Sequence, residues 1–269
     1  TGHAGSASGD RLRELGSGDL SAVERLLAAT DPDIRSVAAD ILGSMQSSRA
    51  VAPLCTALLH DPEVNVRYQA AVSLGTLAYP ESARCLNTSL DDEEWVQFAS
   101  IEALTKIRDD PSTRPMLKAI AQATDLVASS MVDALGDMGD VKAVPPLLKR
   151  MESSPTPLCN KIVRAVMNIM GPHSLSLLGK KECDRLRGYL PTALEDEDPE
   201  IQDAAVKGFA ALGGEEATAC VLRHAASIDP EREPERILAA IDALVSIGPS
   251  PDLEKALTEG EDLCMQIAM

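Results

Sequence analysis

Apolar residues recur at helical spacing through most of the chain, and the clearest instance runs from Asp61 to Ala78. The Asp61 carboxylate can cap a helix, and Pro62 suits a first helical turn. Four later apolar residues then fall on one helical face: Val66, Ala70, Leu74 and Leu77. The stretch therefore predicts an amphipathic helix with a defined start.

The same frame recurs along the chain as a repeat. Each copy ends in an anchor of two apolar residues three positions apart, and the copies follow one another at intervals of 30 to 35 residues, with one interval of 42. The anchors are Leu42/Met45, Leu74/Leu77, Leu104/Ile107, Leu135/Met138, Met167/Met170, Phe209/Leu212 and Leu244/Ile247. Shorter apolar segments between them predict one partner helix in each unit. Stacked helical hairpins bury a continuous core, so we expect an all-α, right-handed superhelix of about seven hairpins.

The repeat motif D-P-x-[VI]-[RQ]-x-x-A-[AV]-x-x-[LF]-x-x-[LM] resembles the short HEAT repeat typified by phycobilisome lyases, the E-Z type. The copies that start at Asp31, Asp61 and Asp198 carry it best, and the resemblance covers residues 10–258. It implies a solenoid whose second helices line a concave groove. The signatures of tetratricopeptide and ankyrin repeats, which share the period, are absent.

The pattern divides the chain into three segments. Residues 1–9 have the composition of a linker, residues 10–258 form the repeat solenoid, and residues 259–269 form a cap or tail. The tail either folds back over the last repeat or marks where a longer protein was cut. The long interval places a surplus of about ten residues at 172–195, which we interpret as a longer helix with a solvated loop, with a binding element as the alternative.

Charge and cysteine usage narrow the function. With 25 Lys and Arg against 42 Asp and Glu, the net charge of -17 opposes binding to nucleic acid or to anionic membranes. No apolar run is long enough to span a bilayer and no export leader is visible, so we expect a cytoplasmic protein. The six cysteines include no C-x-x-C pair. We expect reduced thiols, including Cys55 and Cys85, one repeat apart, and we expect no cofactor or metal.

Two sets of residues are candidates for specific roles. The first set lies on the second helices where they would face the groove, and predicts binding of a protein partner: Asp40, Tyr68, Phe98, Glu102 and Asp133. Trp95 belongs with them as a hot spot, although we expect it first to fill the gap between repeats. The second set occupies equivalent polar positions and predicts a ladder that bridges neighbouring repeats, for example from Arg67 toward Asp31 or Asp61: Arg35, Arg67, Gln97, Asn160 and Gln202.

The sequence lacks the motifs of the enzymes known to have similar folds. HEAT-like hydroxylases bind iron through His-Glu pairs, whereas the four histidines here precede Ala, Asp, Ser and Ala. HEAT-like DNA glycosylases need a basic groove, whereas the net charge here is negative and the groove positions include Asp40, Glu102 and Asp133. The principal hypothesis is a non-catalytic scaffold that binds a protein partner. The partner could be a protein with a basic surface or further domains of the same polypeptide. The alternative is a phycobilin lyase or its auxiliary subunit. A regulator of a nucleotide-dependent machine is neither supported nor excluded by the sequence.

Overall fold

The computed structural model describes residues 20–108, 112–214 and 216–259, and within them the chain is all-α. It forms fifteen α helices joined by turns and short 3-10 segments, with no strand among the described residues. The all-α prediction is confirmed. None of the described helices is long and apolar enough to cross a membrane. The linker predicted at 1–9 and the predicted tail beyond Glu259 lie outside the described residues.

The chain divides between Ala134 and Leu135 into two compact units, each built from helical hairpins. In unit 1 the first helices are α1 (Leu20–Leu26), α3 (Val51–His60), α5 (Ala83–Thr88) and α7 (Thr113–Ala119). The second helices are α2 (Pro32–Ser44), α4 (Val64–Leu77), α6 (Glu94–Ile107) and α8 (Asp125–Met138), whose last turn belongs to unit 2. Each second helix carries one of the predicted anchors, so the repeat frame is confirmed here.

Unit 2 continues with three further hairpins. They pair α9 (Val144–Arg150) with α10 (Thr156–Ser174), α11 (Lys180–Leu194) with α12 (Pro199–Leu212), and α13 (Ala217–Ala225) with α14 (Pro234–Ile247). The last helix, α15 (Pro251–Glu259), packs against α13 as the first helix of another repeat. Helical geometry breaks inside α10 at Gly171, where φ is 65° and ψ is 166°.

The surplus at 172–195 is mostly the helix α11, and its arginines bind within unit 2. Arg185 donates to the Leu148 carbonyl oxygen at 2.9 Å and pairs with Glu152. Arg187 donates to the Leu212 carbonyl oxygen at 3.1 Å and pairs with Asp184. The basic stretch therefore fastens a long first helix to its neighbours, and the loop that we expected from the sequence is short.

Aspartates start several second helices, although not in the way that the opening stretch predicts. Asp31 caps α2 and Asp198 caps α12, each accepting a backbone N–H two residues on at 2.9 Å. The helix α4 instead begins at Val64, with Glu63 in the cap position. The Asp61 carboxylate still accepts the Glu63 N–H at 2.9 Å, but Asp61 lies two residues farther from its helix than Asp31 and Asp198 do from theirs.

Second helices of adjacent repeats approach each other almost backbone to backbone. A Cβ added at Gly43 would lie 2.6 Å from the Ser73 Cβ and 2.9 Å from the Ser73 Cα. A Cβ added at Gly75 would lie 2.9 Å from the Ala103 Cβ. Both glycines directly follow the first residue of an anchor, so the repeat places a small residue where α2 meets α4 and α4 meets α6. The approach leaves no room for a larger side chain.

An arginine ladder joins the first repeat of unit 1 to the second, and the second to the third. Arg35 donates from Nε and Nη2 to the two Asp61 carboxylate oxygens, at 2.7 and 2.8 Å. One repeat later, Arg67 donates in the same way to Asp92, at 2.9 and 2.8 Å. Arg67 meets Asp61 only at the backbone carbonyl oxygen. Its ion pair is therefore with the following repeat, and the bridge from Arg67 back toward Asp31 or Asp61 that we expected is wrong. Bidentate pairs of this kind fix orientation as well as charge.

Polar bridges in unit 2 follow the same positions with different chemistry. The Asn160 amide donates to the Thr192 carbonyl oxygen at 3.2 Å and to Asp196 Oδ2 at 2.9 Å. Gln202 Nε2 donates to the Asp196 carbonyl oxygen within its own hairpin at 2.6 Å, and Gln202 Oε1 accepts from Arg236 of the next repeat. Arg236 stands one position before the equivalent one, and its Nε also donates to Asp203 on the preceding second helix at 2.8 Å. Bridging by Gln97 stays a prediction.

A disulfide connects Cys55 on α3 to Cys85 on α5, with the two Cα atoms 5.6 Å apart. Our expectation of two neighbouring reduced thiols is therefore wrong for this pair. The repeat brings equivalent positions of consecutive first helices within bonding distance, and the structure joins them covalently. Cys159, Cys183 and Cys220 carry reduced thiols, as expected from the sequence, and Cys264 lies outside the described residues.

We predict that a methyl group at Gly43 destabilises the fold although alanine is the better helix former. Gly43→Ala should lower the free energy of unfolding by about 1–2 kcal/mol, because the added Cβ overlaps Ser73 backbone and side chain. Gly188→Ala is the matched control, because Gly188 lies within α11 and no atom lies within 4 Å of a Cβ added there. It should raise the free energy of unfolding by about 0.5–1 kcal/mol. Urea unfolding measures both, and stabilisation by Gly43→Ala contradicts the packing argument.

We also predict that Asp92 stabilises the fold in a pH-dependent way. Burial alone raises the pKa of Asp92, but the hydrogen bonds from Arg67 and from the Glu93 N–H, with the Arg67 charge, outweigh burial and hold the pKa below its ordinary value. Asp92→Asn should therefore cost about 1.5–3 kcal/mol at pH 7. The carboxylate stabilises the fold at every pH above about 3.9, its unfolded pKa, and this contribution disappears as the pH falls through the lower folded pKa.

The control for Asp92 is an exposed ion pair on the neighbouring helix. Glu102 and Lys106 are 2.8 Å apart and both more than half-exposed. Glu102→Gln should change the free energy of unfolding by less than about 0.5 kcal/mol at any pH. Urea unfolding between pH 2 and 7 compares the two variants with the wild type. An Asp92→Asn loss that persists unchanged at the lowest pH would show that charge is not its cause.

Candidate partner-binding face

The predicted partner-binding residues lie on the second helices of unit 1, and we call their solvent side the second-helix face. Asp40 is on α2, Tyr68 on α4, Asp133 on α8, and Trp95, Phe98 and Glu102 are on α6. Tyr68 and Phe98 each precede an anchor by six residues, and α4 packs against α6. The register therefore places their side chains at equivalent positions on adjacent helices.

Two of the three aromatic side chains on this face are exposed. Trp95 is 69% exposed, so our expectation that it fills a gap between repeats is wrong. Its ring lies against Phe98, one turn later, with ring centroids 6.1 Å apart and planes tilted by 53°. Phe98 is half-buried and Tyr68 is 40% exposed. Phe98 supports the indole, while most of the Trp95 surface faces water.

Sequence reasoning missed a fourth apolar residue, Leu126, which is 62% exposed at the start of α8. Leu126 stands nine residues before its anchor, as Trp95 does before its own, and that shared register was the signal. The two helix starts are tied together, because the Thr124 hydroxyl donates to Glu94 Oε1 at 2.9 Å. We call Trp95, Phe98 and Leu126 the Trp95 patch.

The three candidate carboxylates differ in how far they can serve a partner. Asp40 is half-buried and accepts a hydrogen bond from Gln69 Nε2 at 3.2 Å, which links α2 to α4. Asp133 is also half-buried. Glu102 is exposed, with only its neighbour Lys106 bound to it in the same helix. Of the three, Glu102 offers the most accessible negative charge.

A cysteine and a histidine in unit 2 are the arrangement that most resembles a catalytic pair. Cys220 and His224 lie one turn apart on α13, beside a cavity of about 200 Å³. Burial raises the pKa of the Cys220 thiol. Burial, and after it the charge of Arg236, lowers the pKa of His224. Both groups are therefore neutral at pH 7, whereas a nucleophilic cysteine needs its thiolate stabilised. Across the described part of the chain, no cluster of three or more His, Cys, Asp or Glu side chains could hold a metal ion.

Comparison with family models identifies the repeat. A model described as HEAT repeats matches residues 21–105 and 89–168, more than half of the chain. The chain belongs to the HEAT-repeat family. A search of curated proteins found no match to this HEAT-repeat chain.

Several known structures share the HEAT-repeat fold at low sequence identity. A homology model of the full-length AP-3 complex in an intermediate open conformation is 15% identical with a TM-score of 0.65, covering 95% of this chain and 50% of that chain. Importin β is 16% identical with a TM-score of 0.60, covering 91% and 36%. The CpcE–CpcF complex of phycocyanin lyase from Nostoc sp. PCC7120 is 19% identical with a TM-score of 0.49, covering 93% and 94%. The chain thus spans half of the AP-3 chain and about a third of importin β, and these likenesses concern the fold alone.

We predict that the indole of Trp95 is open to solvent in the folded protein. Trp95 is the single tryptophan of the chain, so its fluorescence reports on this position alone. Acrylamide should quench it almost as strongly in the native protein as in urea. A matched variant, Trp95→Phe with Phe98→Trp, moves the indole to the half-buried neighbouring position and should be quenched less. Equal protection of the two variants would contradict the exposed placement.

Proposed function

We propose that this HEAT-repeat protein is a non-catalytic scaffold that binds a protein partner through the second-helix face of unit 1. The observation that carries the proposal is the Trp95 patch, in which Trp95 and Leu126 are exposed and the half-buried Phe98 supports the indole. Singly exposed apolar residues are ordinary on protein surfaces, but Trp and Tyr together are enriched at the centres of interfaces. Tyr68 holds on α4 the position that Phe98 holds on α6, and it extends the surface toward Asp40 on α2.

Charge favours a partner with a basic surface. Net charge is -17, and the four residues Asp91 to Glu94 place carboxylates directly before and within the first turn of α6. Complementary charge speeds encounter and disfavours partners of the wrong sign. Nucleic acid is disfavoured for the same reason, since a phosphate backbone requires Lys and Arg. Further domains of the same polypeptide fit the proposal as well as a separate protein does.

The test is site-specific photo-crosslinking in the native cell extract. A photoreactive phenylalanine analogue replaces Tyr68 in one sample and Leu238 in the control, because Leu238 is 60% exposed on the second helix α14 of unit 2. We expect the probe at position 68 alone to capture a defined protein, and the crosslinked peptide to lie beside Lys or Arg residues. Equal capture from both positions, or an acidic target segment, would refute the proposal.

Alanine variants measure how much the face contributes. Replacing Tyr68, Trp95 and Phe98 together should weaken capture of that protein by about 30-fold or more, the range expected when hot-spot residues are removed. Replacing Leu238 and Val245, both exposed on α14, is the matched control and should leave capture unchanged. Circular dichroism melts verify that each variant folds. Unchanged capture by the folded triple variant would place binding elsewhere.

The phycobilin lyase reading has a direct assay of its own. The chain is coexpressed with a bilin and a candidate acceptor protein, and covalent bilin is detected by zinc-enhanced fluorescence in a denaturing gel. Because a scaffold transfers nothing, we expect no labelled acceptor above a control without the chain. A labelled acceptor would replace the scaffold proposal with the lyase.

A further inference from the structure

Trp95 presents an aromatic surface that is supported on one side and open to solvent. Phe98 holds the indole from within α6, with the ring centroids 6.1 Å apart, and the indole remains 69% exposed. An exposed indole carries negative potential on its faces and can bind an apolar group or a cation. The charges around it decide between these two ligands.

Carboxylates dominate the surroundings of the ring. The chain enters α6 through Asp91, Asp92, Glu93 and Glu94, and Arg67 is the cation that pairs with them, at 2.8 Å from Asp92 and 3.5 Å from Glu93. The α6 N-terminus adds roughly half a positive charge. These groups together leave this surface negative by roughly two to three charges at neutral pH. Negative potential therefore outweighs the helix dipole at the Trp95 patch.

One carboxylate is held in position at the start of α6, at the residue that precedes Trp95. Glu94 precedes Trp95 in the first turn of α6, and its Oε1 accepts a hydrogen bond from the Thr124 hydroxyl at 2.9 Å. The second carboxylate oxygen, and further lone pairs, can accept donors from a ligand. Leu126 adds an aliphatic surface at the adjoining helix start and is 62% exposed. The patch thus combines a π face, a fixed acceptor and an apolar side.

We propose that the Trp95 patch binds an arginine side chain in a basic segment of the partner. The guanidinium stacks on the Trp95 indole and donates to the Glu94 carboxylate, while Leu126 covers the aliphatic part of the side chain. This inference rests on the proposed function and names the chemistry that its face recognises. Arginine fits better than lysine, because its flat guanidinium is weakly hydrated, stacks on aromatic rings and donates in a planar fork.

The probe is a defined peptide, hexa-arginine amide, with hexa-lysine and hexa-glutamate amides as its matched controls. Trp95 fluorescence reports binding at the patch, since no other tryptophan is present. We expect a saturable change with hexa-arginine that weakens as salt is added, a several-fold weaker response to hexa-lysine, and none to hexa-glutamate. Equal affinity for the arginine and lysine peptides would overturn the arginine-specific proposal.

Variants separate the patch from general attraction to an acidic protein. Calorimetry with Trp95→Ala, which changes no charge, should show hexa-arginine binding weakened by about 3- to 30-fold, the range of a cation–π contact. Glu94→Gln should weaken binding as well, whereas Leu238→Ala on unit 2 should match the wild type. If Trp95→Ala binds hexa-arginine as the wild type does, the peptide is attracted by net charge and the proposal is wrong.

The two proposals fail separately. The triple variant at Tyr68, Trp95 and Phe98 could lose partner capture while Trp95→Ala leaves arginine binding unchanged. That result would support the scaffold face and refute the arginine site. Arginine binding that depends on Trp95, with partner capture unaffected by the triple variant, would keep the arginine site and remove the proposed function.

Discussion

The close contact between second helices is the constraint on which the rest of unit 1 depends. At Gly43 and Gly75 the neighbouring helix lies so near that even a methyl group would overlap it. A contact of that kind admits few alternative registers, because sliding or rotating one helix brings larger side chains into the same gap. The register of each second helix is thereby set relative to the next. In unit 1, residues six and nine positions before an anchor then come to lie on the solvent side of the second helices, as Tyr68, Trp95 and Leu126 do.

The arginine ladder complements this packing at the helix starts. Each bidentate pair joins a second helix to the loop that leads into the second helix of the following repeat. Arg35 and Arg67 therefore hold that next second helix at its beginning, while glycine sets its spacing farther along. The pairs also neutralise two of the carboxylates. Asp61 and Asp92 are committed to arginines inside unit 1, and the negative charge that remains accessible near the Trp95 patch belongs to exposed side chains such as Glu93 and Glu94. Within the acidic stretch 91–94, Asp92 therefore serves the fold, and the proposed recognition would use Glu93 and Glu94.

Much of this arrangement could be predicted from the sequence, because a repeat carries its own internal comparison. The seven anchors locate the second helices, and the D-P frame locates their starts to within a few residues. Three features were beyond that reasoning. The bond between Cys55 and Cys85 was missed because spacing shows only that two positions are neighbours, and not which chemistry joins them. Arg67 lies between two acidic loops, and only the direction of its side chain selects Asp92. Trp95 was misjudged because it stands next to the apolar Val96, which suggested a place in the core.

Energetic magnitudes indicate how the exposed indole and its carboxylates would divide their work in a complex. Covering the exposed part of a tryptophan transfers on the order of 150 Å² of mostly apolar surface out of water, worth about 3–4 kcal/mol before the costs of association. A cation–π contact at a solvent-accessible site contributes less, about 0.5–2 kcal/mol. In the proposed complex, burial of Trp95 and Leu126 would therefore govern affinity, whereas the carboxylates would govern which segment is admitted, since an apolar segment of the wrong charge would leave them desolvated and unpaired. A hydrophobic patch set among acids would in this way select its partner by surface chemistry alone.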